Sequence, residues 1–265
     1  MNHGFVLCGC SCVPIRVADC GYNAQQIVKA VQKAAGQGVE VLCLPELCVT
    51  GYTCEDLFFQ PALLNGVLDA LQVILKETAD LSVLFAVGAP LRHNGKLYNC
   101  AIVIQHGKIL GVVPKTHLPN YNEFYEQRHF DSAPEETDAI HLFGQEIPFG
   151  TKLLFASQEH DALKVAVEIC EDLWAPVSPG TAHALGGATI VMNLSASDEI
   201  IGKAAYRKDL VSAQSARLLC GYLYADAGEG ESTTDLVFAG HHLIAENGTV
   251  LAQSKPFANE DILVE

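Results

Sequence analysis

Basic residues are scarce in this chain: 16 Lys plus Arg stand against 31 Asp plus Glu in 265 residues, a formal charge of −15 at neutral pH. A surface of that sign repels phosphate backbones and anionic lipid, which argues against nucleic-acid binding and against docking on an acidic membrane. Long apolar runs are also missing. The longest stretch without Asp, Glu, Lys or Arg, Leu173 to Ser197, is broken by Pro176, Pro179, Gly180, Gly186, Gly187 and Asn193. A membrane helix would be apolar throughout, so no span is expected. The start, MNHGFVLCGC, has no basic region and only a short apolar stretch, so it is not read as a targeting segment. No repeat, low-complexity tract or linker interrupts the sequence, and one domain over residues 1–265 is the simplest organisation.

What is present suits a sizeable core: 49% of the residues are hydrophobic. The ten cysteines sit mostly in apolar runs such as Val6-Leu7-Cys8 and Val41-Leu42-Cys43. There they behave as small buried hydrophobes, a usage that fits a reducing cytoplasm. Cys8, Cys10 and Cys12 alternate and would share one strand face. Their spacing is not that of a structural zinc site, so packing is the expected role and no metal is assigned.

Hydrophobic periodicity predicts strands at 5–12, 39–44 and 82–89, and helices over 23–35 and from Pro61 onward. Asn94-Gly95 and the segment around Gly107 read as hairpin turns. Residues 116–137 form a long polar and aromatic stretch without period, expected to be an ordered loop because Tyr121, Phe124, Tyr125 and Phe130 lie within it. Further strands are expected at 163–169, 188–194, 221–225, 237–238, 242–245 and 250–252, with a helix around 210–219. Alternating strands and helices with several hairpins point to an α/β fold with a mixed sheet.

Three polar residues follow directly on three buried strands: Glu46, Lys115 and Cys170. Ligands of α/β sheets gather beyond the carboxyl ends of strands. A carboxylate, an ammonium and a thiol meeting there would make a nucleophilic site. Each also has an ordinary reading: a solvated turn carboxylate, a surface lysine and a core cysteine. Glu168, Glu171 and Asp172 are unusual company for a core cysteine, and a thiolate among them requires a nearby cation, which Lys115 would supply. Glu46 would then take the thiol proton, and Lys115 with the backbone N–H of Glu171 would hold a developing oxyanion. His117 offers a Cys–His pair as an alternative base.

The segments Leu44-Pro45-Glu46-Leu47, Pro114-Lys115-Thr116-His117-Leu118-Pro119 and Glu168-Ile169-Cys170-Glu171-Asp172 resemble, in order, the Glu, Lys and Cys motifs of the nitrilase superfamily. Within that superfamily, Leu44 to Tyr52 with Glu55-Asp56-Leu57-Phe58, Leu118 to Glu126 with Arg128, and Ala227 to Asp235 are similar to the glutaminase domain of the glutamine-dependent NAD synthetases. The resemblance covers essentially the whole chain. It implies a four-layer α-β-β-α sandwich that hydrolyses glutamine through a Cys170 thioester and passes ammonia by a tunnel to a separate synthetase domain. It implies Glu126 as a second carboxylate near the triad, and Tyr52, Tyr121, Phe124, Glu171 and Ser197 as walls of the substrate pocket. Lys203 stands where such proteins often carry Arg to bind the substrate carboxylate; Lys lacks the bidentate fork, and Arg207 is an alternative.

The resemblance further implies ATP and Mg only in the synthetase domain, which carries a glycine-rich phosphate loop absent here; Gly228-Glu229-Gly230-Glu231-Ser232 is acidic and would repel phosphate. On that reading the chain is an excised glutaminase domain without cofactor of its own, slow in isolation and prone to homo-oligomerise. A free-standing amidase or carbamoylase acting on another small amide is the rival enzyme, and a non-catalytic interaction module the rival class.

Overall fold

The computed structural model describes residues 4–258 and 262–265, so the first three residues of the chain start lie outside it. Fourteen strands form two sheets among the described residues. The first sheet takes β1 (Cys8–Cys10), β2 (Val41–Cys43), β3 (Leu84–His93), β4 (Lys96–Gln105), β5 (Lys108–Pro114), β6 (Asp138–Leu142), β7 (Gln145–Phe149) and, from the chain end, β14 (Leu263–Val264). Its order is β14-β1-β2-β3-β4-β5-β7-β6. The second takes β8 (Phe155–Ala156), β9 (Lys164–Ile169), β10 (Ile190–Ser195), β11 (Gly221–Asp226), β12 (Leu243–Glu246) and β13 (Thr249–Gln253), in the order β13-β12-β11-β10-β9-β8. Both sheets are mixed: β1-β2-β3 and β9-β10-β11 run parallel, and the hairpins flank them antiparallel.

The alternation of each strand sends residues to two different cores. Cys8, Cys10, Val41, Cys43, Ala86 and Val103 of the first sheet meet Val165, Val167, Ile169, Met192, Leu194 and Leu223 of the second. The outer face of the first sheet, with Leu42, Phe85, Val87 and Ile102, packs on α1 (Cys20–Gly36) and α2 (Pro61–Glu77). The outer face of the second, with Ala166, Val191, Tyr222 and Tyr224, packs on α6 (Lys203–Leu218). The result is the expected α-β-β-α sandwich. Three short helices complete it: α3 (Glu126–His129), α4 (Glu171–Trp174) and α5 (Pro179–Leu185).

Several boundaries differ from expectation for identifiable reasons. α1 begins three residues before Asn23, because the Asp19 carboxylate accepts the Tyr22 N–H at 3.1 Å and caps it. Asn23 is instead a buried polar anchor whose amide bonds Arg16 and Val49. Only Cys8–Cys10 of the expected first strand is paired; Cys12 lies beyond it, so the three-cysteine face does not form. The β6–β7 hairpin was not expected at all, since each strand has only five residues and its apolar Ile140, Leu142, Ile147 and Phe149 are interrupted by Ala139, His141, Glu146 and Pro148. Residues 237–238 contribute a single bridge, Asp198 to Phe238, rather than a strand. Among the described residues no helix is long and apolar enough to cross a membrane.

Candidate active site

Glu46, Lys115 and Cys170 stand just past the ends of β2, β5 and β9, where the two sheets face one another. Two of these strands belong to one sheet and the third to the other, so the sandwich itself brings the groups together. Lys115 is buried and its Nζ donates at 2.6 Å to Glu46 Oε1 and at 2.6 Å to Glu126 Oε1. Glu46 is buried as well. Its Oε1 also accepts from Asn99 Nδ2 at 2.6 Å, and its Oε2 accepts the Ala196 N–H at 3.0 Å. Glu126 Oε1 accepts in addition from the Tyr52 hydroxyl at 2.8 Å, while Glu126 Oε2 has no partner. Neither the solvated-carboxylate nor the surface-lysine reading survives this burial.

The electrostatics follow from one ammonium set between two carboxylates out of water. Burial would lower the Lys115 pKa, but Glu126 and Glu46 outweigh it and raise it well above the usual value. Burial raises Glu126, against the opposing pull of Lys115, with Glu46 adding to the rise. Burial likewise drives the Cys170 thiol well above its usual value; Glu46 pushes the same way and Lys115 opposes. A thiol so placed rests protonated, and its chemistry requires a base beside it.

The backbone at Cys170 is held in a conformation that L-residues avoid, φ +43° and ψ −98°. Neighbouring bonds fix it there. The Cys170 N–H donates to Leu194 O at 2.9 Å, and Asp172 Oδ2 accepts the Ile169 N–H at 3.0 Å. Asp172 also accepts the N–H groups of Thr116, at 3.2 Å, and His117, at 2.8 Å. One buried carboxylate thus laces the turn carrying Cys170 to the strand end carrying Lys115. Gly88 of β3 lies flush beneath Glu46: a Cβ there would meet the Leu47 nitrogen at 2.1 Å and the Glu46 carbonyl carbon at 2.7 Å.

The remaining expected residues make contacts of their own around this group. The Tyr121 hydroxyl donates to the half-buried Glu171 carboxylate at 3.0 Å, and the Tyr121 and Phe124 rings meet edge to face at 5.8 Å. Lys203 Nζ lies 5.7 Å from the Phe124 ring centre and 5.4 Å from that of Trp174, and pairs with Asp198. Ser197 is buried; its N–H donates to Asp226 Oδ1 at 2.8 Å, and its hydroxyl accepts from Arg207 Nη2 at 3.4 Å. Arg207 is fully buried on Glu199, His241 and the Asp198 carbonyl, a brace for the 197–199 segment rather than a second carboxylate receptor. The His117 ring bonds the Val177 carbonyl at 3.2 Å, and no hydrogen bond joins it to Cys170.

The sequence reading missed Asn99, Gly88 and Trp174, and took Asp172 only as a charged neighbour. It also did not foresee Glu231, whose carboxylate accepts the Tyr52 N–H at 2.7 Å and both the N–H and the hydroxyl of Thr53 at 3.0 and 2.6 Å. The folded chain presses the Glu231 loop close: a Cβ at Gly230 would sit 1.9 Å from the Ile15 carbonyl oxygen. Among the described residues no group of three or more His, Cys, Asp or Glu side chains is arranged to hold a metal ion.

Residues 7–265 match the family model described as carbon-nitrogen hydrolase. The chain belongs to the carbon-nitrogen hydrolase family. It is 44% identical over 256 residues to a glutamine-dependent NAD(+) synthetase of Mycobacterium tuberculosis, a match covering 97% of this chain and 38% of that protein. A glutamine-dependent NAD(+) synthetase of Aquifex aeolicus is 32% identical over 248 residues, covering 93% of this chain and 40% of that protein. The chain therefore spans about two-fifths of the length of the curated relatives it matches. Among solved structures, a glutamine-dependent NAD(+) synthetase from Cytophaga hutchinsonii superposes with TM-score 0.85 at 30% identity, over 98% of this chain and 42% of that one. An amidase from Nesterenkonia sp. shares the fold, with TM-score 0.76 at 19% identity over 100% of this chain and 90% of that one.

Proposed function

We propose that this hydrolase cleaves the side-chain amide of glutamine through a Cys170 thioester and supplies the ammonia to a synthetase domain that amidates deamido-NAD to NAD with ATP. The observation that carries the chemistry is the buried Lys115 ammonium held at 2.6 Å by both Glu46 and Glu126 near a strand-end thiol on strained backbone. The choice of glutamine and of the synthetase partner rests on the relatives' names, since similarity extends along 97% of this chain.

Glu46 removes the Cys170 proton, and the thiolate attacks the amide carbon. Lys115 has three N–H donors, of which two are committed to Glu46 and Glu126; the third, with the Glu171 N–H, faces the oxyanion. As the tetrahedral intermediate collapses, Glu46 returns its proton to the leaving nitrogen, and ammonia departs. Glu46 then takes a proton from water, whose oxygen attacks the thioester carbon; glutamate leaves and the thiol is restored. Glu126 fixes the ammonium in place, and Tyr52 orients Glu126. Glu171, held by Tyr121, presents a carboxylate suited to an amino acid's ammonium, and Lys203 a cation suited to its carboxylate. ATP and Mg belong to the synthetase portion, and no step here passes through either.

The test is intact-mass labelling with diazo-oxo-norleucine followed by peptide mapping. A single adduct on Cys170, blocked by excess glutamine and lost in Cys170→Ala, is expected. Labelling spread over several cysteines, or unprotected by glutamine, removes glutamine as the substrate and favours a free-standing amidase for another small amide.

A further inference from the structure

The acidic stretch Ala227 to Asp235 takes no part in the chemistry above, yet it is seated firmly on the rest of the chain. The Ala227 N–H donates to Ser195 O at 3.0 Å, and the Ile15 N–H donates to Glu229 O at 3.1 Å. Gly230, at φ +101°, passes so close to Ile15 that a Cβ would lie 1.9 Å from its carbonyl oxygen, so only glycine lets the loop through here. That seating decides where the next side chain goes. Glu229 is exposed, while Glu231 is partly buried and reaches the turn that follows Gly51.

Among the described residues, Glu231 bonds a single dipeptide. Its Oε1 accepts the Tyr52 N–H at 2.7 Å; its Oε2 accepts the Thr53 N–H at 3.0 Å and the Thr53 hydroxyl at 2.6 Å. Thr53 Oγ1 in turn accepts the Ser232 N–H at 2.9 Å, so the two loops clasp each other. Glu231 makes no ion pair among the described residues; its carboxylate is held by N–H and O–H donors of that dipeptide, bonds that a charged acceptor strengthens. From Tyr52 a second set of bonds leads to the ammonium. The Tyr52 hydroxyl donates to Glu126 Oε1 at 2.8 Å, and the same oxygen accepts from Lys115 Nζ at 2.6 Å. The Tyr52 ring meets that of Phe238 edge to face at 5.8 Å, so the backbone of Tyr52 and its hydroxyl move together.

We propose that Glu231 is a positioning residue for the hydrolysis: it sets the Tyr52–Thr53 backbone, and through the Tyr52 hydroxyl it sets Glu126 and the Lys115 ammonium. This rests on the reading of Cys170, Glu46 and Lys115 as the hydrolytic group. Glu231 itself touches no reacting atom. Without its carboxylate the Tyr52 and Thr53 N–H groups lose their acceptors, the Tyr52 hydroxyl moves off Glu126, and Glu126 is free to turn beneath the ammonium. A displacement of about 1 Å costs about a hundredfold in rate, and a part of that displacement gives a fall of about tenfold.

The experiment is a double-mutant cycle in the full chain: Glu231→Gln, Tyr52→Phe and the two together, each checked for folding by circular dichroism. Gln keeps the size of the side chain but leaves one acceptor oxygen for donors that now share two. Two rates are read for every variant: kcat on glutamine, and alkylation of Cys170 by iodoacetamide, located by peptide mapping among the ten cysteines. Glu231→Gln and Tyr52→Phe are each expected to lower both rates about tenfold with KM little changed. In the Tyr52→Phe background, Glu231→Gln is expected to cost less than about twofold more, because its route to the ammonium is already cut. Rates unchanged by Glu231→Gln in a folded protein, or a second loss of the full size in the double variant, overturn the proposal. Should Glu231→Gln not fold, Thr53→Val removes the hydroxyl bond to Glu231 and is judged by the same cycle. The alkylation arm needs no glutamine: a chain whose Cys170 alkylates but does not hydrolyse glutamine overturns the substrate reading, and the alkylation cycle still judges Glu231. A Cys170 that does neither overturns both.

Discussion

Replacing Gly88 with Ala tests whether Glu46 is positioned from below by the backbone of β3. The added methyl would lie 2.1 Å from the Leu47 nitrogen and 2.7 Å from both the Glu46 carbonyl carbon and the Pro45 oxygen. These are backbone atoms, and no rotamer change relieves the contact. β3 and the 45–47 turn must part by roughly 1 Å, since close-packed interiors leave no slack to absorb it. Overpacking of this kind costs about 1–3 kcal/mol. At about 2–4 °C per kcal/mol for a domain of this size, the melting temperature falls by roughly 2–12 °C. The effect on chemistry is larger, because Glu46 Oε2 is held by the Ala196 N–H at 3.0 Å and Oε1 by Lys115 and Asn99 at 2.6 Å, bonds that a 1 Å shift breaks. A displacement of that size costs about a hundredfold in rate. Steady-state kinetics on glutamine, with circular dichroism to confirm folding, should show kcat reduced about a hundredfold and KM little changed. A Gly88→Ala protein with full kcat and an unchanged melting temperature would refute the reasoning.

Three further outcomes are expected. Asp172→Asn leaves the Ile169, Thr116 and His117 N–H groups with a single acceptor oxygen; each buried unsatisfied group costs about 1–3 kcal/mol, so thermal melts should show clear destabilisation and kinetics a loss in kcat. Lys203→Ala should raise KM for glutamine far more than it lowers kcat, whereas Lys203→Arg should lower KM if the fork is what the site lacks; equal effects on both parameters would place Lys203 outside substrate binding. His242 is buried and neutral, its pKa lowered to about 3 by burial and by His241, and its Nδ1 accepts the Asp226 N–H at 3.1 Å. Its folded value lies below the unfolded one, so its contribution to stability is present above the ordinary His range and is lost as pH falls from about 6.5 toward about 3. The melting temperature of a His242→Asn protein should therefore fall less steeply across that window than the parent's.

The candidate group of Glu46, Lys115 and Cys170 was legible because strand ends are marked by composition. Pro45, Pro114 and the run Val165–Ile169 announce where apolar strands stop, and one polar residue follows each. The four layers were legible for a related reason: Val41 and Cys43 face one core while Leu42 faces the other, so the short run is apolar throughout, as a strand covered on both sides must be. What could not be read were partnerships across the chain. Asn99 reaches Glu46 from a strand whose pattern is uniformly buried, and nothing near it distinguishes a ligand of Glu46 from a stray polar residue. Glu231 reaches Tyr52 across 179 positions. Gly88 is one glycine in a strand, and its necessity depends on a turn forty residues earlier. Local sequence encodes the element and its faces; the approach of two backbones appears only when both are folded.

The same geometry narrows where any restraint on this domain would act. Slow hydrolysis is the expectation where Glu46 or residues 116–137 depend on a synthetase domain for alignment. Glu46 is fully bonded within the chain, through Lys115, Asn99 and Ala196, and those partners come from β4, the end of β5 and the end of β10. The 116–137 segment is different. Its Lys115-facing end is fixed by Asp172, and Glu126 is fixed by Lys115 and Tyr52, but Tyr121 and Tyr125 between them are about half exposed. Tyr121 meets the half-buried Glu171 carboxylate. A partner that pressed on this stretch would reach Tyr121 and Glu171, and so the way substrate is held, without moving the buried ammonium or its two carboxylates. Coupling of that kind would change substrate capture rather than the assembly of the nucleophile.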